Sequence, residues 1–252
     1  MISAIRLEFF KTKRKKIWLT LLAFVGLELA WIYVAFRNPS ASEIEIGWME
    51  LLYQVPSLNS ILFPVLAAVM ASRLADLEHK GDTWKLLGTM QSPRMLFLSK
   101  FICGGWYMLV SIFFITISML IFGYVFHYEG TPAFDKYFIF FLFQLFIALE
   151  ILAVQLILSS YIRNQMIPFC IGCGGAFLGL LLLFVPIKIL QYLLPWGHAS
   201  LLFLVYLVDW NPDSRIMKLA YVPIDFIAIV IVIAELVLLL ILGSSLLNKR
   251  EV

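Results

Sequence analysis

Three carboxylates stand singly inside long apolar stretches of this 252-residue chain: Glu28, Glu150 and Glu235. An ionised side chain at the centre of a membrane-spanning helix costs about 2.5–3.5 kcal/mol on insertion scales, so such groups turn toward a bundle interior or a polar path. The roughly twenty apolar residues of each stretch are enough to offset that cost. Two roles then fit these groups: hydrogen bonding between helices or to a partner subunit, and contact with a substrate in transit. Gln144 and Gln155 share the stretch of Glu150, while Asp225 lies near the end of its stretch and reads as interfacial.

The remaining reactive residues do not assemble into a catalytic signature. Cys170 and Cys173 have CxxC spacing, but they sit in an apolar stretch with no histidine or further cysteine nearby, so no metal or redox site is expected. None of His79, His127 and His198 opens an H-E-x-x-H pattern, no G-x-S-x-G occurs, and the carboxylates are scattered singly. An enzyme is therefore disfavoured. No Gly-Lys pair exists anywhere in the chain, which excludes a P-loop and means that any nucleotide must be bound elsewhere. Gly175 and Gly179, four residues apart, allow close approach of another helix, either at a seam with a second subunit or in internal packing.

The elements that position these groups follow from composition. Hydrophobic residues make up 62% of the chain and charged ones 14%, with a mean hydropathy of +0.95. Such a chain cannot fold as a water-soluble globule. It must cross lipid as helices, because hydrocarbon offers no partner to a bare peptide group. Six spans are expected, at residues 17–36, 56–75, 101–126, 137–160, 167–190 and 224–247. The first is too long for a signal-peptide core and lacks a small-x-small cleavage site, so it reads as a retained helix. A seventh span through residues 200–210 is too short. After the break at "LPWGH" it reads as a re-entrant or interfacial helix within a cap over residues 191–223.

Six spans create two sides. One carries Arg6, Lys11, Lys13, Arg14, Lys15, Lys16, Arg73, Lys80, Lys85, Arg94, Lys100, Arg163, Lys249 and Arg250; the other has only Arg37, Lys136, Lys188, Arg215 and Lys218. The positive-inside rule puts both termini and the loop around residues 77–100 in the cytoplasm. Residues 1–16 read as an amphipathic basic elbow helix, with Ile2, Ile5 and Phe9 at helical spacing and "KTKRKK" at the membrane boundary. Residues 17–252 form one transmembrane domain.

The loop "LEHKGDTWKLLGTMQSPRMLFLSK" has its own grammar. Asp82 or Thr83 can cap a short helix through Trp84, Leu86 and Leu87, Gly88 weakens its end, and Ser92-Pro93 starts the helix that enters the third span. A stub of about two turns is unstable alone in water and needs a surface to pack on. That surface is either the ends of its own spans or a cytoplasmic partner.

Glu78, Gly81, Leu86, Leu87, Ser92, Pro93, Arg94 and Lys100 resemble the first cytoplasmic loop of type-2 ABC exporter permeases. The six-span layout, the basic elbow and the capped fifth-to-sixth connection are similar to the permease subunits of lantibiotic-immunity transporters. The resemblance implies an all-α membrane permease with both termini cytoplasmic in the bacterial plasma membrane. It also implies a coupling helix, with Glu78, Gly81, Trp84, Leu86, Leu87 and Arg94 at the ATPase contact. The implied partners are two copies of an ABC ATPase, which hold ATP and Mg, and a second, similar permease in a heterodimer or a homodimer. This chain itself would carry no cofactor and no metal, and nucleic acid is not a partner.

The implied activity is export of a cationic antimicrobial peptide. Glu43, Glu45 and Glu50 in the first outer loop, with Asp209 and Asp213 in the cap, suit attraction of a cationic amphiphile. Trp48, Trp196 and Trp210 would form a capture face, and Glu28, Glu150 and Glu235 a path, unless the tryptophans are ordinary interfacial aromatics. Another amphiphilic substrate, a drug or a lipid, is the alternative. A secondary carrier is disfavoured, since the two halves show no repeat.

Overall fold

A computed structural model describes residues 1–81, 91–211 and 216–249. Helix α1 (Ile2–Arg14) turns at Lys16, whose backbone is left-handed (φ 53°), into α2 (Ile17–Phe36). Then come α3 (Ala41–Gly81), α4 (Pro93–Val125), α5 (Phe134–Tyr161) and α6 (Met166–Phe184). Two short helices, α7 (Lys188–Leu193) and α8 (His198–Leu201), lead to an antiparallel hairpin, β1 (Val205–Asn211) and β2 (Ile216–Tyr221), before α9 (Phe226–Lys249). Among the described residues, six helices are long and apolar enough to cross a membrane. One end of the bundle gathers α1 and the ends of α3, α5 and α9; the Tyr161 hydroxyl donates to the Leu246 carbonyl there. The hairpin lies at the far end, where the Lys136 ammonium sits 5.5 Å from the centre of the Tyr221 ring.

The first span has the expected bounds, whereas the second does not begin at Pro56. Helix α3 is continuous from Ala41, and residues expected in a loop to Val55 are helical. Forty-one residues at about 1.5 Å each give a rod of about 60 Å, twice the hydrocarbon thickness. Pro56 and Pro64 are tolerated inside it. Near them the Ser57 and Ser60 hydroxyls donate to the helix's own carbonyls at Tyr53 (2.8 Å) and Ser57 (2.7 Å). The start of α3 is fixed by Glu43, whose carboxylate accepts from the Ser40 N–H at 2.6 Å, half of a capping box. Helix α4 starts as the Ser92-Pro93 pair predicts, with the Ser92 hydroxyl accepting from the Met95 N–H.

The all-α expectation needs one amendment, the hairpin, which occupies residues that read as a re-entrant or interfacial helix. Its strands pair from Val205 with Tyr221 to Asn211 with Ile216, with an irregularity between Leu207 and Asp209. The fifth span also ends at Phe184, short of residue 190, because the chain breaks into α7. The link between α7 and α8 then dips back into the bundle. Trp196 covers Gly175 and Gly179 of α6, so that a Cβ on Gly175 would strike its indole and a Cβ on Gly179 its carbonyl oxygen. Gly175 lies nine residues before the end of α6, about 13 Å below the far end of the bundle. The re-entrant or interfacial helix expected over residues 200–210 does not form: α8 ends at Leu201 and β1 begins at Val205, and it is the link between α7 and α8 that packs into the bundle. Gln191 holds it, donating to the Leu182 carbonyl (3.0 Å) and the Ser200 hydroxyl (2.8 Å).

Trp48 plays the same wedge role between α3 and α4. Its ring is buried over Gly123, edge-on to Tyr124 and Tyr137, and its carbonyl accepts from the Tyr137 hydroxyl at 2.9 Å.

Gly179→Leu is expected to destabilise the protein by about 1–3 kcal/mol, because its Cβ meets backbone that cannot yield. Gly174→Leu, facing open space on the same helix, should be neutral. Thermal unfolding of the two variants in the same detergent checks this.

Candidate functional site: an ion network at the roots of the 82–90 segment

Helix α1 is built inside out. Ala4, Glu8 and Thr12, spaced by four, face the bundle and are buried, whereas Ile2 (84% exposed), Leu7 and Phe10 (54%) face outward. A helix that turns its carboxylate inward and its large apolar side chains outward is suited to lipid on one side and polar partners on the other. The partners come from the helices that flank residues 82–90. Lys11 bonds Glu8 (2.7 Å) and Glu78 of α3 (2.9 Å). Lys100 of α4 bonds Glu78 (2.7 Å), Glu8 (3.2 Å) and the Leu74 carbonyl (2.8 Å).

Two acids and two bases thus form a closed, formally neutral ring. Lys100 is fully buried and both carboxylates are 1% exposed, with Lys11 at the rim. Burial opposes the Lys11 charge, but the Glu78 and Glu8 carboxylates outweigh it and raise its pKa above 10.5. Thr12 extends the joint, accepting from the Tyr107 hydroxyl at 3.1 Å. His79 Nε2 lies 2.9 Å from the Ser159 carbonyl, tying the same end of α3 to α5.

Of the residues expected at an ATPase contact, Gly81 and Arg94 are exposed beside the segment. Glu78 is not a surface group: it belongs to the buried ring. Trp84, Leu86 and Leu87 lie outside the described residues. Glu8, Lys11 and Lys100 were not legible as site residues, since two of them fall within or beside a basic run; the i, i+4, i+8 stripe of Ala4, Glu8 and Thr12 was the available signal.

The residues expected along a path separate. Glu28 on α2 is buried and accepts from the Asn59 amide on α3 at 2.5 and 3.3 Å, an interhelical bond. Glu150 and Glu235, read from the sequence as isolated, are neighbours: with His198 they offer ligand atoms within 4.8 Å of one another. The expected capture face does not form as one surface. Trp48 is buried, Trp196 is seated on α6, and Trp210 is exposed on β1. Gly175 and Gly179 pack internally against Trp196, as the alternative to a seam with a second subunit has it. Among the three acidic residues expected in the first outer loop, Glu50 is buried against Gln54, Glu43 caps α3, and Glu45 is exposed.

Lys100→Met should leave two buried carboxylates to one lysine and cost about 3–5 kcal/mol. Adding Glu78→Gln should recover part of that loss, as read by unfolding of the single and double variants. The Lys11 contribution should be complete below pH 10.5 and disappear only as pH rises through its raised folded pKa. Lys11→Met should therefore flatten the alkaline limb of the stability profile above that pH.

Comparison with curated proteins gives no match. The family model described as "ABC-2 family transporter protein" matches residues 4–179, from the inward face of α1 through the glycine face of α6. That stretch includes the complete ion network and more than half of the chain, and the protein belongs to the ABC-2 family of transporter permeases.

Proposed function

We propose that this chain is the permease subunit of an ATP-driven exporter that expels a cationic amphiphilic peptide of the lantibiotic kind from the bacterial plasma membrane. The observation that carries the coupling half of this reading is the buried ring of Glu8, Lys11, Glu78 and Lys100. It fastens both flanks of residues 82–90 to α1, so force applied to that segment reaches α1, α3 and α4 together. Trp84, Leu86 and Leu87 are the docking side chains, inserted into a groove on a separate ATPase that binds ATP and Mg. Gly81 and Arg94 border that contact, and Glu78 braces it from behind. Both termini are cytoplasmic, and two copies of the ATPase serve this chain and a second, similar permease.

Support for a cationic substrate comes from the far end, where Glu45 and Trp210 are exposed, beside Asp209, which is exposed but paired with Lys218 at 3.5 Å. The arrangement suits capture from the outer leaflet and release to the medium.

The tagged chain, extracted gently from its native cells, should bring a P-loop ATPase in stoichiometric amount, and Trp84→Ala with Leu87→Ala should lose it without loss of the folded permease. An ATPase absent from the wild-type preparation, under conditions that keep other membrane complexes whole, refutes the coupling reading. Cells that carry the intact transporter should survive cationic lantibiotics better than cells that lack it. Equal killing removes the peptide substrate and leaves the permease assignment standing.

A further inference from the structure

The re-entrant loop delivers His198 to a place the permease layout does not require. Glu150 of α5 and His198 of α8 are both fully buried, and His198 Nδ1 lies 2.8 Å from Glu150 Oε2. Glu235 of α9, partly buried, brings a second carboxylate within 4.8 Å of both. Glu150 Oε1 is buried without a hydrogen-bond partner. Two carboxylates this close in a low-dielectric interior repel each other unless one is protonated or a positive charge lies between them. The orientation of the His198 ring is set from its other side, where Nε2 lies 3.3 Å from the Tyr192 carbonyl. Donation from Nε2 leaves the Nδ1 lone pair directed at the carboxylates, the arrangement by which a backbone carbonyl fixes the tautomer of a metal-binding histidine. The Tyr192 hydroxyl is itself held by Asp225 at 2.5 Å, and Asp225 caps the start of α9.

We propose that Glu150, His198 and Glu235 bind one divalent transition-metal ion, zinc in the first place. Two carboxylates and a neutral imidazole balance its charge, and three protein ligands leave one tetrahedral position for water. Ligands at about 2.0–2.1 Å from zinc stand about 3.3 Å apart. Glu235, the least buried of the three, has the freedom to close the remaining gap. The ion would join the re-entrant loop to α5 and α9. This site is independent of the ATPase contact and of the substrate.

The test uses the full chain in lipid nanodiscs, stripped with a chelator and then titrated with Zn2+ alone. The wild type should bind about one ion per chain and unfold at a higher temperature when it is loaded. Glu235→Gln and His198→Gln should bind about 100-fold more weakly or not at all and lose the thermal shift. Glu235→Gln carries the decision if the buried variants fail to fold. Replacing Cys170 and Cys173 by Ser should leave binding unchanged. Overturning results are a wild type that binds no ion, which makes the cluster a protonated hydrogen-bonded triad only, and a Glu235→Gln variant that binds as the wild type does, which puts the ion elsewhere.

Discussion

Hydrocarbon supplies no counter-charge and no hydrogen-bond partner, so Glu8, Glu28, Glu78, Lys100 and Glu150, all buried, each take a partner from another element. Lys100 is the sharpest case. It is fully enclosed, and its contacts include Glu8 from α1, Glu78 from α3 and a carbonyl of α3. That one requirement fixes the rotation of α1, since Glu8 must face inward, and then Ile2, Leu7 and Phe10 must face lipid. It also fixes how the end of α3 sits against the start of α4, independently of the residues that connect them. Breaking a buried pair costs more than the pair contributes, so the ring acts as a constraint on arrangement more than as a source of stability.

The other end of the molecule is organised by volume. Gly175 and Gly179 make a shallow seat on α6, and Trp196 fills it. The same chain segment carries His198 past α6 to Glu150 and Glu235. Small residues on a span thus serve a loop that enters the bundle, where in a simpler membrane protein they would serve a neighbouring helix. Gly123 under Trp48 repeats the device between α3 and α4. Large aromatic side chains seated over glycine allow two elements to approach closely.

The spans were legible because apolar length is a strong signal in a chain with few charges, and Ile17–Phe36 has the bounds its hydropathy predicts. The cap at Ser92-Pro93 was legible for a local reason, one hydroxyl and one fixed φ. Pro56 misled for a local reason too: it reads as a boundary, yet the helix continues through it with Leu51, Leu52 and Val55 buried in the bundle. The hairpin carried readable signals, with "NPD" between two runs that hold Asp209 and Lys218, but the apolar run before it was assigned to a helix on composition alone. The polar clusters were least legible. Glu8 meets Lys100 across 92 positions, and His198 meets Glu150 across 48. No spacing rule spans such distances. Trp84, Leu86 and Leu87, expected from the sequence to dock on a partner, lie outside the described residues.

Helix α3 runs unbroken from Glu43, which caps it at the far end, to Glu78 in the ion network. An α-helix resists stretching and compression, so its two ends cannot move independently along its axis. Its softest points are the two prolines, which flank the middle of the rod. Any flexing is therefore confined to the few residues between Pro56 and Pro64, with a stiff arm on either side. When the rod moves without bending there, a tilt of about 5° about its centre swings its two ends in opposite directions by about 2.6 Å. Trp48 rides on one arm and the Lys100 clamp grips the other, so a displacement at the clamp becomes a displacement of opposite sense beneath Tyr128 and Tyr137.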